Sequence, residues 1–166
     1  MKSVVFINMA LLAIVCAGRC TATPAVAYAD AVTIKRQIAA DKGHVVLVNF
    51  WATWCGPCVA EYPSLVKLDS QYRRRGLDVI AVSLDLKEDI NGKVKPFVAG
   101  QKAKFPQFVL DASDPDAAIN AFDKSWQGEV PRTFVYSKTG QLIKTLPYQK
   151  NDAGFDNAVI AALKER

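Results

Sequence analysis

The stretch from Val45 to Cys58 constrains this chain more than any other part of it. Val45, Val46, Leu47, Val48 and Phe50 form an apolar run interrupted only by Asn49. Such a run suits a strand buried on both faces of a sheet covered by helices. A short turn follows, and helix-forming residues continue from Val59. Cys55 and Cys58 therefore stand where a strand hands over to a helix. The unpaired N–H groups and positive dipole end of a helix start stabilise a thiolate at Cys55. Two intervening residues keep Cys58 near enough for reversible disulfide closure. Pro57 fits the first helical turn, where its missing N–H costs nothing.

Trp51-Ala52-Thr53-Trp54-Cys55-Gly56-Pro57-Cys58 resembles the active-site segment of the thioredoxin superfamily. With Asn49-Phe50 before it and Glu61 and Pro63 after it, the segment looks like the TlpA/ResA-like branch of exported thiol–disulfide reductases. The likeness is dense here and thinner over the rest, from about Val45 to the C-terminal helix. A Cys-X-X-Cys can also be half of a zinc site or a structural bridge. Zinc usually takes four ligands, and beyond the first segment the chain adds only His44 to this pair. A redox pair fits better.

The 166 residues are enough for one sizeable core. Residues 1–27 read as a signal peptide and residues 28–166 as one thioredoxin-like domain. Lys2 precedes an apolar run over residues 4–17, and Ala25-Val26-Ala27 is a small-X-small cleavage site, with Ala27-Tyr28-Ala29 as an alternative. The run falls short of the roughly 20 residues that span a bilayer, although an uncleaved anchor stays open. Cys16 and Cys20 invite a lipoprotein reading, but Val15 and Arg19 precede them where a small residue is needed. Cleavage after Ala27 would leave Cys55 and Cys58 as the only cysteines and no methionine. It would also lower the formal net charge from +5 to about +3, a mild excess that points to no nucleic-acid partner. The dense run Arg73-Arg74-Arg75, followed by Gly76, suits a helix C-terminus.

From there the chain alternates. Residues 30–42 read as a helix capped by Asp30 and stopped by Gly43, and His44 sits in the connector beyond. After the buried strand, a helix is expected over 58–75, kinked at Pro63. Residues 77–84 give a strand, 88–104 a helical segment with an uncertain start, and 105–110 a short strand. Asp114-Pro115 opens another helix. Residues 130–136 and 141–146 form a hairpin around Ser137-Lys138-Thr139-Gly140, and Phe155, Val159, Ile160 and Leu163 mark a last amphipathic helix. The order predicts an α/β thioredoxin fold, a three-layer α/β/α sandwich. The strand at 105–110 and the helix after it resemble the central insertion of the TlpA/ResA branch.

The resemblance also assigns a site. It implies that Cys55 is the nucleophile, Cys58 the resolving thiol and Pro131 the superfamily's cis-proline, facing the cysteines. A cis bond there would turn the Val130 backbone outward to pair with an extended client. Trp54, Gly56, Pro57, Val130, Pro131 and Arg132 are the expected client contacts. Glu129 and Arg132 depart from the family's usual glycine and threonine. Arg132 would favour a Cys55 thiolate and Glu129 would oppose it, unless both are solvated surface charges. Thioredoxins carry a buried aspartate where this chain has Asn49. Glu61, three residues past Cys58, matches the glutamate of ResA-like proteins and is the candidate proton carrier. Desolvation beside Trp54 would raise its pKa; the alternative is an exposed glutamate paired with a lysine.

Gly56-Pro57 adds no charge to the nucleophile and is the pair found in reducing thioredoxins, so a reductase is expected. A dithiol oxidase or isomerase is the rival, and a metal-handling role suffers from the lack of methionine after Thr21. No cofactor is expected beyond the Cys55–Cys58 disulfide. The resemblance implies a bacterial periplasmic location, oxidised exported clients, including apocytochrome c motifs during cytochrome c biogenesis, and a membrane thiol-electron donor. Membrane contact is expected only if the leader is retained.

Overall fold

The structure is a computed structural model, and it describes residues 25–149 and 151–165. A six-stranded sheet organises it: β1 (Val26–Ala29), β2 (Val45–Trp51), β3 (Leu77–Ser83), β4 (Gln107–Leu110), β5 (Arg132–Tyr136) and β6 (Leu142–Leu146), in the spatial order β1-β4-β3-β2-β5-β6. The first four strands in that order run parallel, and β5 and β6 run antiparallel to their neighbours.

Strand β2 is central and buried along its whole length. Its alternate residues feed two cores. Val45, Leu47 and Trp51 pack beneath α2 (Gly56–Tyr72), α3 (Lys95–Gln101) and α5 (Asp152–Lys164), with Tyr62, Leu65, Val98 and Phe155 above them. Val46, Val48 and Phe50 face α1 (Ala31–Ala40), meeting Ile34, Ile38, Phe122, Trp126 and Phe134. Ile119 of α4 (Pro115–Asn120) packs on that same side. Helices thus cover both faces, as the sequence predicts for a three-layer sandwich.

The helix starts are chemically ordinary. Asp30, Asp114 and Asn151 each cap a helix by accepting a backbone N–H. Helix α2 runs on past Pro63 without a break. It closes through a 3-10 turn at Arg73–Arg75 and Gly76, whose φ of 93° suits glycine. Asp69 is buried near that end and takes a bidentate grip from Arg73. His44 pairs with Asp78 at 2.7 Å on the surface.

Three details go beyond the expected order. The helical segment expected over 88–104 is a π-helical turn, Ile90–Val94, followed by the short α3, because Lys102 turns left-handed. Strand β4, the strand of the expected insertion, lies between β1 and β3, parallel to both. Finally, β1 itself was not anticipated. The boundary expected between residues 27 and 28 falls inside it, since Val26 and Ala27 pair with Gln107 and Phe108. The rest of the expected leader, 1–24, lies outside the described residues.

Candidate active site

The carboxyl end of β2 points the turn Ala52-Thr53-Trp54 into α2. Cys55 is the N-cap of that helix, and its Sγ accepts the backbone N–H of Cys58 at 3.2 Å. That is the place where a helix offers unpaired donors to a negative sulfur. Cys55 and Cys58 are joined in a disulfide. Cys55 is 6% exposed and Cys58 1%, so Cys55 is the more exposed of the two but is recessed rather than open. Trp54 stands 65% exposed beside it, and Gly56 and Pro57 are exposed as well.

Across the cleft, Val130-Pro131 is a cis peptide bond. The Val130 carbonyl oxygen lies 3.6 Å from Cys55 Sγ. The structure therefore brings together Trp54, Cys55, Gly56, Pro57, Cys58 and the Val130-Pro131 bond, drawn from two segments more than 70 residues apart.

Arg132 sits at the start of β5 and is mostly buried. It is not the solvated charge that the sequence left open, nor is it aimed unopposed at Cys55. Its guanidinium pairs with Glu129, whose other carboxylate oxygen accepts the Gln127 backbone N–H at 3.1 Å. The two charges expected to act against each other on the thiolate are spent largely on one another.

Glu61 is 2% exposed, which removes the surface-glutamate alternative. Oε1 accepts from Asn49 Nδ2 at 3.0 Å, and Oε2 accepts the Gln149 backbone N–H at 2.9 Å. Asn49 also donates to Thr133 Oγ1 at 2.9 Å. Burial pushes the Glu61 carboxyl above its ordinary range, and the hydrogen bonds from Gln149 and Asn49 partly offset that rise. Desolvation is the cause that was expected, although Trp54, named as its source, stands 65% exposed.

A model of the AhpC/TSA family matches residues 22–145. The chain belongs to that family. Among its relatives is a thiol–disulfide oxidoreductase ResA of Bacillus cereus, 31% identical over 105 residues, which is 63% of this chain and 56% of that protein. Another is the thioredoxin-like protein YneN of Bacillus subtilis (strain 168), 33% identical over 101 residues, 61% of this chain and 55% of the relative. The chain thus spans about half the length of the curated relatives it matches. Among solved structures it is similar to a thiol:disulfide interchange protein of the thioredoxin family from Chlorobium tepidum TLS. That match has a TM-score of 0.63 at 29% identity, covering 75% of this chain and 83% of the other. A thioredoxin-related protein from Neisseria meningitidis serogroup B matches with a TM-score of 0.62 at 26% identity, covering 75% and 88%. The fold is the thioredoxin fold, and the kinship with the TlpA/ResA-like branch read from residues 49–63 holds.

Three residues of the site escaped the sequence. Thr133 and Gln149 reach Asn49 and Glu61 from elements far along the chain. Asp85, just past β3, binds Thr53. A polar residue at the carboxyl end of a parallel strand is a signal that could have pointed to Asp85, because sites in open α/β sheets gather there.

Proposed function

We propose that this protein is a thiol–disulfide oxidoreductase that reduces disulfides in exported proteins through Cys55 and Cys58. The observation that carries the reading is Cys55 Sγ at the N-cap of α2, holding the Cys58 N–H and facing the Val130 carbonyl. In the reduced protein the Cys55 thiolate attacks one sulfur of a client disulfide. A Cys55–client bond forms, and the client's other sulfur leaves as a thiolate. The Cys58 thiolate then attacks Cys55 Sγ, the mixed disulfide breaks, and the second client sulfur leaves. Two electrons pass to the client and the Cys55–Cys58 disulfide remains. Cys58 must lose a proton before it attacks, and Glu61, three residues on along α2, is a buried acid whose carboxyl is raised above its ordinary range.

The backbone of Val130 and the exposed faces of Trp54, Gly56 and Pro57 receive the client, with Pro131 and Arg132 shaping the rim. The leader-like residues 1–27 and the ResA relatives support export to a bacterial periplasm. The same kinship supports a membrane thiol donor that re-reduces the pair, and apocytochrome c cysteine pairs among the clients. No helix among the described residues is long and apolar enough to cross a membrane.

The test uses the purified protein, reduced and freed of excess thiol, mixed with an oxidised model protein. One client disulfide should be reduced per Cys55–Cys58 pair, and Cys55→Ser should reduce none. A reduced wild-type protein that leaves the client oxidised while its own thiols stay intact would defeat the proposal.

A further inference from the structure

Asp85 occupies the turn after β3, is 4% exposed and uses both carboxylate oxygens. Oδ2 accepts the Thr53 backbone N–H at 2.9 Å and the Ser83 hydroxyl at 2.6 Å. Oδ1 accepts the Thr53 hydroxyl at 2.5 Å. The Asp85 N–H is held in turn by Ser83 Oγ at 2.9 Å. One carboxylate thus grips one residue, Thr53, through its main chain and its side chain together.

Thr53 lies two residues before Cys55, inside the turn closed by the Cys55 N–H on the Ala52 carbonyl at 3.2 Å. The next side chain, Trp54, stands in solvent and anchors nothing. The turn therefore owes its place to the strand behind it and to Asp85 beside it. Asp85 is itself braced. Leu84 N–H binds the Trp51 carbonyl at 2.8 Å, and on the far side the Tyr28 hydroxyl donates to the Lys87 carbonyl at 2.9 Å. Hydrogen bonds to a carboxylate are roughly twice as strong as neutral ones, and a buried turn-to-strand tether of this kind resists displacement. Displacement matters, because a 1 Å error in a reacting group can cost about a hundredfold in rate.

We propose that Asp85 is a positioning residue for the thiol chemistry. It fixes the turn so that Cys55 Sγ keeps both the Cys58 N–H and its line of approach to the client sulfur. This rests on the reading of Cys55 as the nucleophile, and it goes further in placing control of that sulfur on the turn after β3.

Asp85→Asn keeps the shape, removes the charge that strengthens all three bonds, and with its NH2 at the Oδ1 place makes the Thr53 hydroxyl accept where it had donated. Thr53→Val removes the hydroxyl bond alone, and Thr53→Ser retains both. Two measurements are made on each reduced variant: the pH profile of Cys55 alkylation by iodoacetamide, and kcat and KM for an oxidised model protein. Asp85→Asn should lower kcat about 30-fold or more with KM little changed, and should move the alkylation profile to higher pH as Cys55 Sγ loses its hold on the Cys58 N–H, against the downward shift that removing a carboxylate charge alone would give. Thr53→Val should show a smaller loss in the same direction, and Thr53→Ser should match the wild type. If Asp85→Asn does not fold, the comparison of Val with Ser at position 53 decides the matter. Variants that melt earlier but keep the wild-type alkylation profile and kcat would reduce Asp85 to a stability residue and overturn the proposal. If the wild type reduces no protein disulfide yet Asp85→Asn still moves the alkylation profile, the functional reading fails while the positioning role stands.

Discussion

Asn49 Nδ2 lies 3.0 Å from Glu61 Oε1, so a buried neutral amide faces the carboxylate where thioredoxins would place a second acid. The same amide nitrogen serves Thr133, while Asn49 Oδ1 finds no partner among the described residues. An amide turned by 180° exchanges its donor and acceptor ends. In that orientation Oδ1 can accept from a protonated Glu61 and from the Thr133 hydroxyl. Asn49 can thus partner both forms of Glu61, which suits a group that takes up and releases a proton.

Glu61→Gln is accordingly expected to fold, with Asn49 turned to accept the new NH2. The reduction rate should fall about tenfold or more, and its pH profile should lose one ionisation. Stability gives an independent check. The folded-state pKa of Glu61 is raised above its ordinary 4.5, so its contribution is fully present below that pH. It is lost as pH rises through the folded-state value, when burial must accommodate a charge. Glu61→Gln should therefore gain stability relative to the wild type as pH rises from about 4.5 upward. Urea titrations at several pH values measure this. A difference that stays flat or shrinks with pH would refute the raised carboxyl.

The roles of the two cysteines separate in a trapping experiment. With Cys58 replaced by Ser, the mixed disulfide on Cys55 has no resolving thiol and should accumulate with an oxidised client. Cys55→Ser leaves in the site only Cys58, which is 1% exposed, and should trap almost none there. Non-reducing electrophoresis with mass spectrometry identifies the linked cysteine. Accumulation on Cys58 would reverse the assignment.

Much of this was legible because it is local. The run Val45–Trp51 shows its burial in its composition, and the step from Cys55 into α2 in its spacing. Pro131 was legible only through resemblance. What escaped lacked a local pattern. Strand β1 is four residues long, and Tyr28 and Ala27 on it are exposed, so no alternation marks it; its small residues read equally well as a cleavage motif. The Asp85–Thr53 and Gln149–Glu61 bonds span 32 and 88 positions, a distance at which spacing says nothing. Arg132 read equally well as a solvated charge because nothing in the neighbouring sequence marks its partial burial at the start of β5.

Electron flow is set by how strongly the reduced form is stabilised. Active-site pairs on this fold range from about −270 mV for thioredoxin to about −120 mV for DsbA. Gly56 and Pro57 bring no side-chain donor or charge to Cys55, which has the Cys58 N–H as its hydrogen-bond donor. The potential should lie nearer −270 than −120 mV when equilibrated with glutathione. A value above about −180 mV would make the protein an oxidase or isomerase instead.

The last prediction concerns the ion pair beside the cleft. Arg132 follows Val130 by two residues, and Val130 contributes the carbonyl 3.6 Å from Cys55 Sγ. Its guanidinium is mostly buried and paired with Glu129, which is the more exposed partner. Removing the acid without changing its shape, in Glu129→Gln, leaves a desolvated cation whose field is no longer cancelled. An opposite charge nearby favours a thiolate, so alkylation of reduced Cys55 at pH 7 should speed up about threefold at low salt. Arg132→Gln should slow it by a similar factor, because Glu129 then stands alone. The double variant should return close to the wild-type rate, which separates an electrostatic effect from damage to the strand. Since the pair is partly exposed, the changes should shrink in 1 M salt, where the screening length is about 3 Å. Single variants that move the rate in the same direction, or a double variant slower than both, would mean that the pair holds the start of β5 and leaves the charge of Cys55 alone.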